Sequence, residues 1–411
     1  IPGNQSVTKI LPHPETRENY YNDIAVFAIP TKLNTGYRVP QWQSKAGQRG
    51  GRNGRQPDLK HDPKGVPIPI KSIIDLTDKV SENGVLSWNA PRGAWRIIRL
   101  GHTSKGHINA PAPKTGEGLE VDKLKPQGVD IQWQKGIKPI LDHLGPLAGD
   151  VLTTLHIDSY EAGLAHWTPG MVAAFKERRG YDPTPFLLAL TGRLVEDTPT
   201  TERFLWDFRM TVSELFADNF YGHFADLCHE NGMRYSNEPY TSCFEGLAVA
   251  AKADLPMAEF FADGSYSFSV ELAASSAHTN GRPIAGAEAF TAGPGMGGQW
   301  QAHPGSLRRL GDLVWTQGIN RFTFHCYAHQ PWLDRVPGMT MGQYGCHFDR
   351  NNTWWEPGKA WMQYITRSQF LLQHGTPSSD VLAYAGQAAP NRVAHLKGLK
   401  EAGYAYDSCG T

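Results

Sequence analysis

The sequence predicts an α/β protein built as a (β/α)8-type, TIM-like barrel that carries a small inserted all-β module. Four apolar, strand-like runs each end at a glutamate, namely LTTLHIDSYE at Glu161, MRYSNEPY at Glu238, DLPMAEFF at Glu259 and RPIAGAEAF at Glu288. From about residue 150 such runs alternate with helical patterns at the spacing of βαβ units. The chain has 411 residues, more than the roughly 250 of a typical barrel, so a further module is expected.

The first part of the chain is predicted to be rich in β-structure. The run NDIAVFAIP, residues 22–30, is continuously apolar and ends at a proline, and is interpreted as the first barrel strand within residues 1–44. The runs IKSIIDL, GVLSWNA and GAWRIIRLGHT are separated by Gly, Pro and Asn and predict antiparallel strands, in a mostly β insertion over residues 45–125. The basic, glycine-rich stretch 45–55 is predicted to be a solvated loop.

Residues 126–411 are predicted to form the rest of the barrel. A short helix, PGMVAAFKERR, is expected to begin at the Thr168–Pro169 pair and to end at Gly180. A long helix from about residue 201 to 231, stopped by Gly232, shows apolar residues every three or four positions. SLRRLGDLVWTQG and KAWMQYITRSQFLLQHG predict two more helices, and DVLAYAG predicts another strand.

Composition excludes several classes of protein. Lys plus Arg and Asp plus Glu number 40 each, so the electrostatic footprint of a nucleic-acid binder is missing and a neutral substrate is favoured. The sequence contains no apolar run of 18 residues, which predicts no membrane partner. Five scattered cysteines without a CxxC pair indicate neither a disulfide framework nor a thiolate zinc site. The missing initiator Met suggests a piece of a longer protein.

The strand-end carboxylates suit the cleavage of a glycosidic bond. That reaction needs one protonated carboxyl beside the leaving oxygen and a second carboxylate across the sugar ring. A single strand-end glutamate is as well explained by an ion pair or a helix cap, whereas four together favour chemistry. The polar candidates at the predicted strand ends are Asp158, Glu161, Asn237, Glu238, Glu259 and Glu288.

A fifth run, RFTFHCYAHQPW, ends in His325, Tyr327, His329 and Trp332. On a helix the two histidines would suit a metal ion. In an extended segment, however, side chains four residues apart lie about 13 Å from each other, too far to share one ion. The segment is therefore predicted to be a wall of the substrate-binding site.

Three long segments resemble the α-L-rhamnosidases of glycoside hydrolase family 106, over roughly residues 20–410. They are DSYEAGLAHWTPGMVAAFKERRGYDP, ERFLWDFRMTVSELFADNFYG and GINRFTFHCYAHQPWLDRVPGMTMGQYGCHFDRNNTWW. The resemblance implies a (β/α)8-type barrel, an inverting mechanism, a rhamnoside or rhamnose-containing glycan as substrate, and a Ca²⁺ ion that touches the sugar hydroxyls. By motif, it implies Glu161 as general acid and Glu288 as general base. Glu259 and Glu238 would support the base or hold the calcium, whose ligands stay unassigned.

The same residues are also compatible with other functions. A retaining glycosidase would use Glu238, in its NEP context, as acid–base residue and Glu288 as nucleophile. A catalytically silent sugar-binding barrel would keep the same cavity without turnover. A metal-dependent amidohydrolase-type barrel is disfavoured, because NDIAVFAI lacks the HxH with which such a site usually starts.

Overall fold

The computed structural model describes residues 1–13, 15–33, 37–48, 65–240, 243–265, 268–391, 393 and 396–410. Most of the predicted basic loop 45–55 therefore lies outside the described residues. The strands are β1 Gln5–Ile10, β2 Asn22–Pro30, β3 Ile74–Asp75, β4 Val85–Ala90, β5 Trp95–His102, β6 Thr154–Ile157, β7 Arg234–Asn237, β8 Leu255–Phe261, β9 Gly286–Thr291, β10 Arg321–Phe324, β11 Val381–Tyr384 and β12 Tyr406–Cys409.

The helices lie mainly between the later strands. The α-helices are α1 Trp42–Lys45, α2 Pro126–Gln132, α3 Lys138–Leu144, α4 Met171–Arg179, α5 Thr198–Leu215, α6 His223–Glu230, α7 Gly246–Ala250, α8 Phe268–Thr279, α9 Pro304–Thr316, α10 Lys359–Leu372 and α11 Lys397–Glu401. Two π-helical segments are Trp133–Ile137 and Phe216–Gly222. Short 3₁₀ turns are Thr31–Leu33, Ile70–Ser72, Thr77–Lys79, Lys114–Gly116, Gly145–Leu147 and Thr184–Thr191.

The centre of the fold is a five-stranded parallel sheet in the order β10-β9-β8-β7-β6. Each strand pairs in parallel with its neighbour along the chain, because a helical connection returns to the same edge after every strand. This arrangement confirms the α/β class and forms a parallel half-barrel. Within the described residues these five strands do not close into the predicted eight-stranded barrel.

The two faces of the half-barrel differ in chemistry. Alternate residues such as Tyr235, Phe260 and Ala287 are buried against the helices. Because side chains of a strand point alternately to opposite faces, the residues between them lie on the concave face, which carries His156, Ser236, Glu238, Glu259, Glu288 and His325. The concave face is therefore polar at the carboxyl ends of the strands.

The helical predictions for the central part of the chain are confirmed. Helix α5, the π segment that follows it and α6 form a continuous helical stretch from Thr198 to Glu230. Phe204, Phe208 and Phe224 pack from it into the main hydrophobic core. Gly180 ends α4 with φ 77°. One detail is corrected, since Gly170 rather than Thr168 precedes α4, and the Thr168 hydroxyl donates to Asp122 at 2.5 Å.

The prediction that residues 22–30 form the first barrel strand is wrong. Strand β2 pairs antiparallel with β3 and with β5 in a separate three-stranded sheet. Its side chains enter two different cores, with Phe27 and Ile29 facing the main core and Val26 and Ala28 a smaller one. A strand that is buried on both faces is apolar throughout, whichever way its neighbours run.

The antiparallel character of residues 65–103 is confirmed, but these strands do not form a separate insertion. Strand β4 pairs with β1, and β5 pairs with β2, so the N-terminal strands belong to the same β-rich unit. At the other end of the chain, the predicted strand β11 pairs in parallel with β12, outside the five-stranded sheet. None of the helices in the described ranges has the length and apolar character needed to cross a bilayer.

Candidate active site

The carboxyl ends of the parallel strands bring the predicted glutamates together. Glu259 and Glu288 are direct partners in the register of β8 and β9. Glu238 follows β7 immediately, and its backbone N–H donates to the carbonyl of Ile157 at the end of β6. Because the strands are parallel, all three side chains emerge at one edge of the sheet, in agreement with the prediction.

Glu238 and Glu259 share one hydroxyl group. Tyr240 Oη lies 2.9 Å from Glu259 Oε2 and also contacts Glu238 Oε2. Burial raises the pKa of Glu259 to about 7, assisted by the negative charge of Glu288 and opposed by the Tyr240 hydrogen bond. Burial likewise raises the pKa of Glu238 well above its usual range, and Glu288 and Asp158 add to the effect. Glu259 therefore titrates near neutral pH, and Glu238 holds its proton more strongly than an ordinary glutamate.

Glu288 has a different environment. The Thr291 hydroxyl donates to Glu288 Oε1, and His325 Nδ1 lies 3.7 Å from the same oxygen. Burial raises the pKa of Glu288, while the Thr291 hydrogen bond and the neighbouring His325 both act in the opposite direction. Two groups thus stabilise the ionised form of a carboxyl that burial makes more basic.

A β-bulge makes the contact between Glu288 and Thr291 possible. In the pairing with β8, Ala289 faces Phe260 and Thr291 faces Phe261, so that Phe290 is the additional residue. Phe290 has φ 62°, in the left-handed region. In a regular strand, residues three apart point to opposite faces, whereas the bulge brings Thr291 back to the face of Glu288.

A possible cation site lies beside Glu238. Within the described part of the chain, His156, Asp158 and Glu238 are the group of three potential ligands whose donor atoms lie within 4.8 Å of one another. His156 Nδ1 is hydrogen-bonded to Ser236 Oγ at 2.8 Å, and its Nε2 lies 3.8 Å from Glu238 Oε1. Burial lowers the pKa of His156, so its ring is held neutral. Glu238 Oε1 is buried without a hydrogen-bond partner.

Glu161 lies four residues beyond the end of β6 and is exposed. Its negative charge contributes to the raised pKa values of Glu259 and Glu288, after the larger effect of their burial. Strands β7 and β8 separate β6 from β9, which is three strand spacings, or about 14 Å along the sheet. Glu161 therefore lies near enough to Glu259 and Glu288 for its charge to act on both.

Of the other predicted residues, some lie at the site and others do not. Asn237 is fully buried and its Nδ2 donates to the carbonyl of Val249 at 3.1 Å, so the prediction that it binds substrate is corrected to a structural role. His325 lies at the site beside Glu288. Tyr327, His329 and Trp332 are exposed on the segment that follows β10. Their role as a substrate wall stays a prediction.

Three residues of the site were missed by the sequence analysis. His156 stands two positions before Asp158, and this HxD spacing at a strand end places both on one face. Tyr240 follows the NEP motif but offers no signal of its own. Thr291 reaches Glu288 only because of the bulge at Phe290.

The assembled groups suit acid–base chemistry. They provide paired carboxyls with raised pKa values, a neutral imidazole, and an acidic pocket for a cation. A separate cavity of about 700 Å³ lies at the opposite end of the strands, lined by Arg282, Asn320 and Asp407. Because none of the strand-end glutamates lines it, the chemistry belongs at the carboxyl ends.

Three comparisons with known proteins indicate what this chain is similar to. A family model described as alpha-L-rhamnosidase, glycoside hydrolase family 106, matches residues 8–410. A solved structure of a rhamnosidase from Novosphingobium sp. PP1Y is similar with a TM-score of 0.79 and 34% sequence identity, covering 91% of this chain and 37% of that one. A protein of Formosa agariphila, named "Putative beta-glucuronidase", is 46% identical over 413 residues, which cover 100% of this chain and 35% of the relative. The chain thus spans about a third of the length of these relatives.

Proposed function

The chain belongs to glycoside hydrolase family 106, the α-L-rhamnosidase family, and we propose that it removes terminal α-L-rhamnosyl residues by an inverting mechanism that uses two carboxylates. The substrate is a rhamnoside or a rhamnose-containing glycan. One observation carries the proposal: Glu161 is near enough to Glu288 for its charge to raise the pKa of that buried carboxyl. The similarity to a solved rhamnosidase supports it.

Glu288 is assigned as the general base. In an inverting reaction the base must be ionised, and it must be basic enough to take a proton from the attacking water. Burial makes Glu288 more basic, while the Thr291 hydroxyl and the His325 ring favour its ionised form. His325 Nδ1 is buried without a hydrogen-bond partner, which leaves this nitrogen available to orient the water beside Glu288.

Glu161 is assigned as the general acid. It projects from the exposed rim of the site, where the leaving group must enter and depart. A sugar or aglycone that packs over Glu161 removes water from this carboxyl and so favours its protonated form. Inversion requires the two carboxyls to be about 6.5–9.5 Å apart in the complex.

The calcium ion implied by the family fits the carboxylates of this site. The negative charge of Asp158 raises the pKa values of Glu238, Glu259 and Glu288, so a cation bound beside Asp158 would offset a repulsion that acts on all three. Asp158 and Glu238 would hold the ion, since both supply the oxygen atoms that calcium prefers and Glu238 Oε1 has no hydrogen-bond partner. When bound, the ion would supply charge that orients the sugar hydroxyls. Loss of turnover with a chelator, reversed by added calcium, tests this role.

Two alternatives to this proposal are a β-glucuronidase activity and a retaining mechanism. Because a relative that is 46% identical is named as a β-glucuronidase, an aryl β-glucuronide must be tested beside the aryl α-L-rhamnoside. A retaining mechanism with Glu238 as acid–base residue is disfavoured, since Glu238 is only 1% exposed and its carboxyl is engaged with Tyr240.

The decisive experiment combines two variants with analysis of the product. Glu161→Gln and Glu288→Gln each remove one proton-transfer group with little change in shape, and each should lower kcat on an aryl α-L-rhamnoside by about 10²–10⁴-fold. NMR during turnover should show the inverted anomer of rhamnose first. Near-wild-type turnover in both variants, or hydrolysis of the glucuronide alone, refutes the proposal. Glu177→Gln, on the surface of α4, is the matched control.

We further propose that the half-barrel is part of a closed (β/α)8 barrel. The edge strands β6 and β10 expose His156 and Thr323 on the concave face, where a closed barrel would cover them. An experimental structure in which these two strands pair with further parallel strands would confirm the closure, and one in which both edges remain unpaired would contradict it.

A further inference from the structure

A lysine that follows the N-terminal β-rich unit holds the loop that carries Glu161. This loop, residues 158–167, has no regular secondary structure, so neither a strand nor a helix fixes Glu161 within it. Lys105 follows β5, and its Nζ donates to the carbonyl oxygen of Ala162. The same Nζ lies 3.5 Å from the hydroxyl oxygen of Tyr160. Tyr160 and Ala162 are the two neighbours of Glu161 in the chain, so Lys105 contacts the loop on both sides of this residue.

Tyr160 is itself fixed by two ammonium groups and two aromatic rings. The Nζ atoms of Lys105 and Lys123 lie 5.8 and 5.9 Å from the centre of its ring. The ring is buried and packs edge-on against Phe216 and Phe244, at centroid distances of 5.3 and 5.9 Å. The residue before Glu161 is therefore firmly packed, and Lys105 joins it to the backbone of the residue after Glu161.

The charge of Lys105 is supported by carboxylates of its own segment. Burial lowers the pKa of Lys105 and the charge of Lys123 lowers it further, whereas the charges of Glu120 and Asp122 act in the opposite direction. Asp122 also accepts a hydrogen bond of 2.5 Å from the Thr168 hydroxyl, directly after the loop. The segment that follows β5 thus holds the loop beside Glu161 and at its end.

We infer that Lys105 is a positioning residue for the general acid, and that it fixes the place of the Glu161 carboxyl through the carbonyl of Ala162. The inference rests on the proposed function, in which Glu161 gives its proton to the glycosidic oxygen while the bond from that oxygen to the anomeric carbon breaks. This transfer depends on the position of the carboxyl, because a displacement of about 1 Å costs about 10²-fold in rate. Lys105 acts through the backbone of the loop and not on the sugar.

The test uses two rhamnosides that differ in their need for the proton. The oxygen of methyl α-L-rhamnoside has to be protonated as the alcohol departs, whereas dinitrophenolate is a stable anion that departs from its rhamnoside without a proton. Lys105→Met should therefore lower kcat/KM by about 10- to 100-fold on the methyl glycoside and change it little on the dinitrophenyl glycoside. Lys105→Arg keeps a charged donor and should retain most of the activity on both. A general loss of folded protein would lower both rates equally.

Controls separate this inference from the proposed function. Glu161→Gln is the reference and should show the same selective loss, whereas Lys114→Met, which changes a side chain that is 92% exposed, should alter neither rate. If Glu161→Gln is selective but Lys105→Met lowers both rates equally or neither of them, the inference is overturned alone. If Glu161→Gln itself lowers both rates equally, Glu161 is not the general acid and the proposed mechanism fails. Should Lys105→Met not fold, Lys105→Gln, a shorter and neutral donor, carries the same comparison and should show a selective loss in the same direction.

Discussion

The hydrogen bond from Thr291 to Glu288 predicts how the activity depends on pH. Thr291 is buried at the end of β9, and Thr291→Val removes the hydroxyl while keeping nearly the same shape. A hydrogen bond to a charged group is worth about 1.5–3 kcal/mol, and 1.36 kcal/mol corresponds to one pKa unit. Loss of the bond should therefore raise the pKa of Glu288 by about 1–2 units.

The direction of the effect follows from the role of Glu288. A general base acts when it is ionised, so kcat/KM falls as the pH drops through the pKa of Glu288. In Thr291→Val the acidic limb of the kcat/KM profile should move to higher pH by about 1–2 units. Below that limb the variant should be about 10- to 100-fold slower than the wild-type protein, and the two should converge at high pH.

Two further variants make the result decisive. Thr291→Ser restores a hydroxyl and should return the limb to its original position. Thr366→Val changes an exposed threonine on α10, whose hydroxyl donates to the Met362 carbonyl, and should leave the profile unchanged. A loss of activity that is equal at every pH would show a change of geometry instead, and an unmoved limb would refute the assignment of Glu288 as the base.

Two other predictions concern the remaining carboxyls and the stability of the fold. In Tyr240→Phe the pKa of Glu259, about 7 in the wild-type protein, should rise by about 1–2 units, since the hydroxyl that favours its ionised form is gone. An infrared titration of the carboxyl band that disappears in Glu259→Gln measures it, and an unchanged midpoint contradicts the shared hydrogen bond. Lys45 is fully buried and pairs with Glu202 at 2.5 Å, so Lys45→Met should lower the free energy of unfolding by about 3–5 kcal/mol. Denaturant titration measures this, with the exposed Lys138→Met as a control that should cost about 0.5 kcal/mol or less, and equal losses would refute the argument.

The sequence was most informative where successive strands each end at a glutamate. Parallel strands end at a common edge, so the glutamates at positions 238, 259 and 288 could be placed together without knowledge of any contact. It was least informative where a strand is buried on both faces, because such a strand looks the same whether its neighbours run parallel or antiparallel. Strand β2 is covered on both faces, and its apolar run is the same for an antiparallel strand as for a parallel one.

Some details at single residues also could not be predicted from the sequence. Asn237 and Glu238 are adjacent, but a strand turns successive side chains to opposite faces, so only Glu238 reaches the site. The left-handed conformation at Phe290 could not be expected, because a bulky residue rarely adopts positive φ. The contact of Thr291 with Glu288, which depends on that conformation, was therefore invisible as well.

The bulge at Phe290 links the acid–base groups to the packing behind the sheet. Its ring packs against Phe260 and Phe322 at centroid distances of 5.0 and 5.5 Å, so the aromatic layer holds the backbone turn that presents Thr291 to Glu288. Cavities introduced into this layer will relax the turn before the domain melts. An ageing or partly heated preparation should consequently lose its activity in acidic buffers while its secondary structure is still complete. Enzyme engineers can therefore tune the activity at acidic pH by changing residues that do not contact the sugar.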